Sequence, residues 1–151
     1  MVKAVQIKVY NQAAETIEAS ASYFVDHARK SLSSRKVFRV LLAGGSTPKK
    51  LYELLADTRA PFRNQLDWSR IQWFWGDERS VAPTHVDSNF KMAYEAMLSH
   101  VPASPGQFFR IEAEGTDAEL NALAYEARLR AVFGSEDLHE GFPIFDFALV
   151  S

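Results

Sequence analysis

Two stretches of this chain collect the groups that could do chemistry. The first is Gly44-Gly45-Ser46-Thr47-Pro48, followed by Leu51-Tyr52. Gly44 and Gly45 allow positive φ and let a ligand come close to the backbone. Thr47 is placed to cap a helix, and Pro48 suits the first helical position, where its missing N–H would have no partner. Unpaired N–H groups at a helix start, with the helix dipole behind them, favour an anion, phosphate above all. The hydroxyls of Ser46 and Thr47 add donors. The spacing is not that of a Walker A loop, and an ordinary strand-to-helix turn fits the same residues. The second stretch runs from Gly76-Asp77-Glu78-Arg79 through His85 to Asp87-Ser88-Asn89 and is dense in polar groups. The four histidines, His27, His85, His100 and His139, show no metal-ligand spacing.

The elements that must position these groups follow from periodicity. Residues 37–43, apolar except for Arg39, read as a buried strand leading into the glycine turn. Residues 71–75, aromatic and β-prone, form the strand leading into the second stretch. Before them, residues 5–10 alternate apolar and polar side chains and predict a first strand. Asn11 is the expected cap of a helix whose apolar face is Ala13, Ile17, Ala21, Phe24, Ala28 and Leu32. Lys30, Arg35 and Lys36 mark its exposed end, and His27 is expected at or near the surface. The helix after Pro48 turns Leu51, Leu54 and Leu55 inward and stops before Pro61. A connector with Trp68 packed leads to the 71–75 strand. Asp87 or Ser88 caps the next helix, which carries Phe90, Ala93, Tyr94, Met97 and Leu98. Residues 107–111 predict a fourth strand. Thr116 with Glu119 matches a capping box, and Leu120, Leu123, Ala124, Ala127 and Ala131 follow at helical spacing, with Gly134 as C-cap. Residues 144–151 predict a fifth strand.

Strand and helix alternate strictly. This predicts one α/β domain over residues 1–151: a doubly wound, mainly parallel sheet, Rossmann-like, with helices on both faces. Ligands in such sheets bind at the carboxyl ends of the strands, and both polar stretches fall at that edge.

Composition narrows the classes further. The chain has 151 residues, no cysteine and a formal net charge of −2. No basic excess points to nucleic acid or an anionic membrane. Without cysteine there is no disulfide framework and no thiolate chemistry, which fits a cytoplasmic protein. Met1-Val2-Lys3-Ala4 lacks the apolar core of a leader, and no apolar run is long enough to span a bilayer.

The two stretches together resemble the 6-phosphogluconolactonase family. The resemblance rests on Leu42-Ala43-Gly44-Gly45-Ser46-Thr47-Pro48 and, more specifically, on Phe74-Trp75-Gly76-Asp77-Glu78-Arg79 with Pro83 and Asp87-Ser88-Asn89. Arg110-Ile111, Glu114, Ala124-Tyr125-Glu126 and Phe145-Asp146-Phe147-Ala148-Leu149 extend it along the whole chain. It implies hydrolysis of 6-phospho-D-glucono-1,5-lactone to 6-phosphogluconate in the oxidative pentose phosphate pathway, on a sugar-phosphate isomerase type of fold, with no cofactor and no catalytic metal. It assigns the phosphate to Gly44, Gly45, Ser46 and Thr47. Asp77 and Arg79 become the catalytic candidates facing ring and phosphate, and Ser88 and Asn89 complete the substrate pocket. A guanidinium fork matches phosphate oxygens. A structural ion pair between Glu78 and Arg79 fits the same loop.

The family pattern continues past the fifth strand into an Asp-Gly-His-Thr stretch whose histidine activates the attacking water. This chain ends at Ser151, where that stretch is due. The expectation is therefore the front part of a lactonase, cut after its fifth strand and able to self-associate through the uncovered edge. A non-catalytic phosphosugar-binding module is the alternative. A glucosamine-6-phosphate deaminase-like enzyme, which shares the Gly-Gly-Ser-Thr-Pro stretch, is a further one.

Overall fold

The computed structural model describes residues 4–150. The chain-end features read at residues 1–3, and Ser151 of the predicted last strand, lie outside the described residues. Helix α1 (Ala13–Leu32) is followed by β1 (Phe38–Leu42), α2 (Ser46–Ala56), β2 (Ile71–Trp75), α3 (Asn89–Ala96), β3 (Phe108–Phe109) and α4 (Ala118–Val132). A two-residue-stranded hairpin of β4 (Leu138–His139) and β5 (Phe142–Pro143) precedes β6 (Phe147–Ala148). The main sheet has four strands in the order β3-β2-β1-β6, all pairings parallel. The mainly parallel α/β class read from the sequence is therefore the fold observed.

One face of the sheet carries α1, α2 and α3. Strand alternation sends Phe38, Val40, Trp73 and Trp75 to that side, where all four are fully buried. Phe24 of α1 stacks on Trp73 and meets Phe38 and Phe147 edge-on. Trp68 is packed beside Trp73, as expected, with its indole N–H on the Arg63 carbonyl at 2.9 Å. The other face is thinner. Phe74 meets Phe109, Phe133 and Phe145 there, and Arg39 lies 4.6 Å from the centre of the Phe133 ring.

Several local expectations are corrected. Residues 5–10 form no strand: an alternating segment becomes one only when a sheet edge accepts it, and Val5, Ile7 and Val9 all project into solvent. The fourth and fifth predicted strands shrink to two residues each. Gln12, not Asn11, is the N-cap of α1, and the Asn11 N–H is held by the Glu15 carboxylate instead. Asp117, not Thr116, caps α4, its side chain accepting from the Glu119 and Leu120 N–H groups. Phe133 is the C-cap, and Gly134 has negative φ and opens a short 3-10 turn.

Helix α4 is also rotated from its expected setting. No residue in it is fully buried, and Leu120 and Leu123 face out. The half-buried positions are Asn121, Tyr125, Arg128, Leu129 and Val132, an alternative face at the same helical spacing. Hydrogen bonds explain the choice: Tyr125 and Arg128 reach strand-end backbone groups, and those anchors set the rotation.

The amino ends of the strands are closed by charge. Arg39 and Arg35 both pair with Asp137, at 2.7 and 2.9 Å, and Arg35 also pairs with Asp146 at 2.7 Å. Asp146 accepts the Arg39 N–H as well, at 2.8 Å. Arg35, read as an exposed helix-end cation, is thus a member of a partly buried network. The Arg39 guanidinium hydrogen-bonded to Asp137 holds that carboxyl below the usual carboxylate range.

Candidate functional site

The glycine turn is built on the carboxyl end of β1. Ala43 is buried, and the Tyr52 hydroxyl takes up both its backbone groups, accepting its N–H at 3.1 Å and donating to its carbonyl at 2.8 Å. Burial pushes the Tyr52 phenol well above its ordinary range, so it remains a protonated donor. Gly45 has φ 100° and ψ 164°, a conformation that side-chain-bearing residues rarely adopt. It is the N-cap of α2, so the helix starts at Ser46. Thr47 is therefore inside the first turn and not the cap, and Pro48 is the third helical residue. The position tolerates proline because first-turn N–H groups lack helical acceptors. The first helical bond runs from the Lys49 N–H to the Gly45 carbonyl at 3.1 Å. The N–H groups of Gly45, Ser46 and Thr47 have no acceptor among the described residues, and all three residues are exposed. They open on a cavity of about 480 Å³ that Ile17, Ser20, Leu149 and Val150 also line.

The second stretch follows β2 and returns to the start of α3. It is tied to the first at the strand ends, where the Gly76 N–H donates to the Leu42 carbonyl at 3.0 Å. Asn89, the first residue of α3, is buried, and its side-chain amide donates to the Asp77 carbonyl at 3.1 Å and to the Asp77 carboxylate at 3.3 Å. The same side chain lies against Gly44: a Cβ placed there would stand 2.1 Å from Asn89 Oδ1. Gly44 is thus a close-approach glycine that lets the two loops lock together. Ser88 is almost wholly buried and caps α3, its hydroxyl accepting the Lys91 N–H at 3.1 Å. Of the two cap candidates, Asp87 and Ser88, it is Ser88.

The expected site residues therefore divide in two. Gly45, Ser46, Thr47, Asp77 and Arg79 are exposed at one sheet edge, whereas Gly44, Ser88 and Asn89 are buried beneath them. The Arg79 side chain has no hydrogen bond or ion pair among the described residues. In particular it does not pair with Glu78, so the expected structural ion pair is replaced by other contacts of Glu78. Arg110, near the carboxyl end of β3, is engaged by both oxygens of Glu114 at 2.8 and 3.0 Å. Of the histidines, His85 alone stands on this loop, and its Nδ1 accepts the Asp87 N–H at 3.1 Å. His27 is half-buried against Tyr23 and Phe147, consistent with its expected place. No group of three or more metal-ligating side chains gathers among the described residues. Among them, too, no helix is long and apolar enough to cross a membrane.

Two tyrosines within the stretches that carry the resemblance, Tyr52 and Tyr125, anchor the strand ends. Tyr52 clips the end of β1 from one face. From the other, the Tyr125 hydroxyl accepts the Trp75 N–H at 3.2 Å and lies 3.1 Å from the carbonyls of both Trp75 and Phe109. Burial pushes its phenol up to about 12. For Tyr52 the signal in sequence is a tyrosine on the face of Leu51 and Leu55, where a buried hydroxyl demands a partner, whereas Tyr125 lies off the apolar spacing of its helix and has no such signal.

The chain matches the family described as glucosamine-6-phosphate isomerases/6-phosphogluconolactonase over residues 11–151. It is 34% identical over 149 residues to 6-phosphogluconolactonase 3, chloroplastic, of Arabidopsis thaliana, covering 96% of this chain and 45% of that protein. To the 6-phosphogluconolactonase of Treponema pallidum it is 34% identical over 137 residues, covering 90% and 54%. The solved 6-phosphogluconolactonase of Trypanosoma brucei superimposes with a TM-score of 0.78 at 28% identity, over 93% of this chain and 57% of that one. The chain thus spans about half the length of these relatives. With the family match running over residues 11–151, the chain belongs to the glucosamine-6-phosphate isomerase/6-phosphogluconolactonase family.

Proposed function

We propose that this chain provides the phosphosugar-binding part of a 6-phosphogluconolactonase, acting on 6-phospho-D-glucono-1,5-lactone. One observation carries the reading: the helix-start N–H groups of Gly45, Ser46 and Thr47, which have no acceptor among the described residues, share a sheet edge with exposed Asp77 and Arg79. The substrate phosphate sits on the α2 start, where donors and dipole favour it. Arg79 adds a guanidinium at the lactone end of the sugar, to the charge that develops on the carbonyl oxygen and to the carboxylate of the product. Asp77, oriented by Asn89, faces the sugar hydroxyls. Hydrolysis also needs a base to take a proton from the attacking water. Among residues 4–150 only His85 stands on a loop of this edge, and one of its ring nitrogens is engaged by Asp87. Turnover by residues 1–151 alone is therefore slower, by about 10²–10⁴-fold, than in a protein that supplies a positioned histidine. A cytoplasmic place of action fits a chain without cysteine. Self-association uses the open sheet edge at β6, the terminal strand of the order β3-β2-β1-β6.

The test is a lactone-hydrolysis assay, read against the buffer rate, with a binding titration of 6-phosphogluconate. Binding with slow turnover is expected, and Arg79→Ala weakens binding by about tenfold. Binding with no turnover above buffer identifies a phosphosugar-binding module. Absence of binding at millimolar ligand rejects both.

A further inference from the structure

Glu78 lies between the two exposed candidates Asp77 and Arg79, yet its side chain does not pair with the Arg79 guanidinium, the partner expected of it. Its carboxylate accepts four hydrogen bonds. Oε1 takes the Arg79 N–H at 2.8 Å and the Asn89 N–H at 2.7 Å. Oε2 takes the Phe90 N–H at 2.9 Å and the Ser88 hydroxyl at 3.1 Å. Asn89 and Phe90 are the first two residues of α3, and Ser88 satisfies the third, Lys91. A full negative charge thus fills the positive end of this helix, where each such bond is charge-assisted. The helix start it fixes carries Asn89, whose amide holds Asp77 and packs on Gly44. The backbone bond it makes to Arg79 fixes the residue that carries the free guanidinium.

We infer that Glu78 is a positioning residue: its carboxylate clamps the start of α3 to the 76–79 turn and so sets Asp77 and Arg79 for the sugar ring, without touching the ligand. The inference rests on the phosphosugar reading above. It separates two parts of the site. The Gly45–Thr47 amides are held by β1, Tyr52 and α2, none of which is a Glu78 partner. Losing the clamp disturbs sugar recognition and leaves the anion cradle in place.

The experiment measures binding of 6-phosphogluconate and of inorganic phosphate to the full 151-residue chain and to Glu78→Gln. The glutamine keeps the shape and one acceptor oxygen, but turns an NH₂ group toward Phe90 N–H. Misplacement of a positioned group by about 1 Å costs up to about 10²-fold. Glu78→Gln is expected to weaken 6-phosphogluconate by about tenfold or more, and inorganic phosphate by less than twofold. The Asn89 side-chain amide resonances shift in the same variant. Glu78→Asp, which keeps the charge but shortens the reach, falls between, and it replaces Glu78→Gln should that variant fail to fold. Equal weakening of both ligands means that the clamp only holds the fold together, and overturns the inference. So does unchanged 6-phosphogluconate affinity. A wild-type chain that binds neither ligand rejects the phosphosugar reading itself, and the inference falls with it.

Discussion

Two helices begin at the same edge of the sheet, and their starts are treated in opposite ways. The α3 start is filled: Glu78 and Ser88 satisfy the N–H groups of Asn89, Phe90 and Lys91. The α2 start is left open: Gly45, Ser46 and Thr47 have no side-chain cap and no acceptor among the described residues. Both helices face the same demand, since the first turn of any helix has N–H groups without helical partners. The chain answers it with its own carboxylate in one case and with no group of the described residues in the other. On the function proposed above, the filled start holds the walls of the site and the open one receives the ligand's phosphate.

This contrast can be broken in steps. Removing the plug has the largest effect: Glu78→Ala strips three backbone N–H groups and a hydroxyl of their charged acceptor. A loss of about 3 kcal/mol in stability is expected, measured by urea unfolding. Gly44→Ala comes next. Its methyl would overlap Asn89 Oδ1, at 2.1 Å, so Asn89 must leave and the lock between the starts opens. The expected cost is about 2 kcal/mol, with altered Asp77 resonances. Tyr52→Phe leaves both backbone groups of buried Ala43 unpaired, costing about 1–2 kcal/mol and loosening the open start alone. Hydrogen exchange should then rise at Ala43 and not at Asn89.

The smallest effect comes from the opposite end of the strands and sharpens the contrast as a control. Asp137 is held below its ordinary value chiefly by Arg39, so its ionised form favours the folded chain. That contribution is complete above about pH 4, the unfolded carboxylate's range, and is lost as pH falls through the lower folded value. Asp137→Asn should therefore lower thermal stability at pH 6 and converge toward wild type as pH drops below about 4. Phosphate binding at the α2 start should not change.

The alternation of strands and helices along the chain was legible because buried strands and helical faces repeat with fixed periods. Residues 71–75 were read as the strand they form, and both polar stretches were placed at one edge. What periodicity could not supply was partnership. Residues 5–10 have a strand's alternation but no sheet edge to join. Leu120 and Leu123 have helical spacing, yet Tyr125 and Arg128 decide which face turns inward. The site residues were legible as a group, because glycines, hydroxyls and charges cluster in two loops. Their division into exposed contacts and buried supports was not. Asn89 and Ser88 look like ligand groups by type, and nothing in that type announces that both are buried, with the Asn89 amide on Asp77 and the Ser88 hydroxyl between Glu78 and Lys91. Glu78 looks like Arg79's partner by adjacency, but its reach extends across ten residues to α3.

The most direct test of the open-start claim is a two-dimensional ¹H–¹⁵N spectrum of the chain titrated with inorganic phosphate and then with 6-phosphogluconate. The expected result is saturable shifts of the Gly45, Ser46 and Thr47 amides with both ligands, with Asp77 and Arg79 responding only to the sugar phosphate and Asn89 and Phe90 keeping their hydrogen-bonded positions. Shifts centred on the α3 start, or no response at Gly45–Thr47 at millimolar concentrations of either ligand, would contradict it.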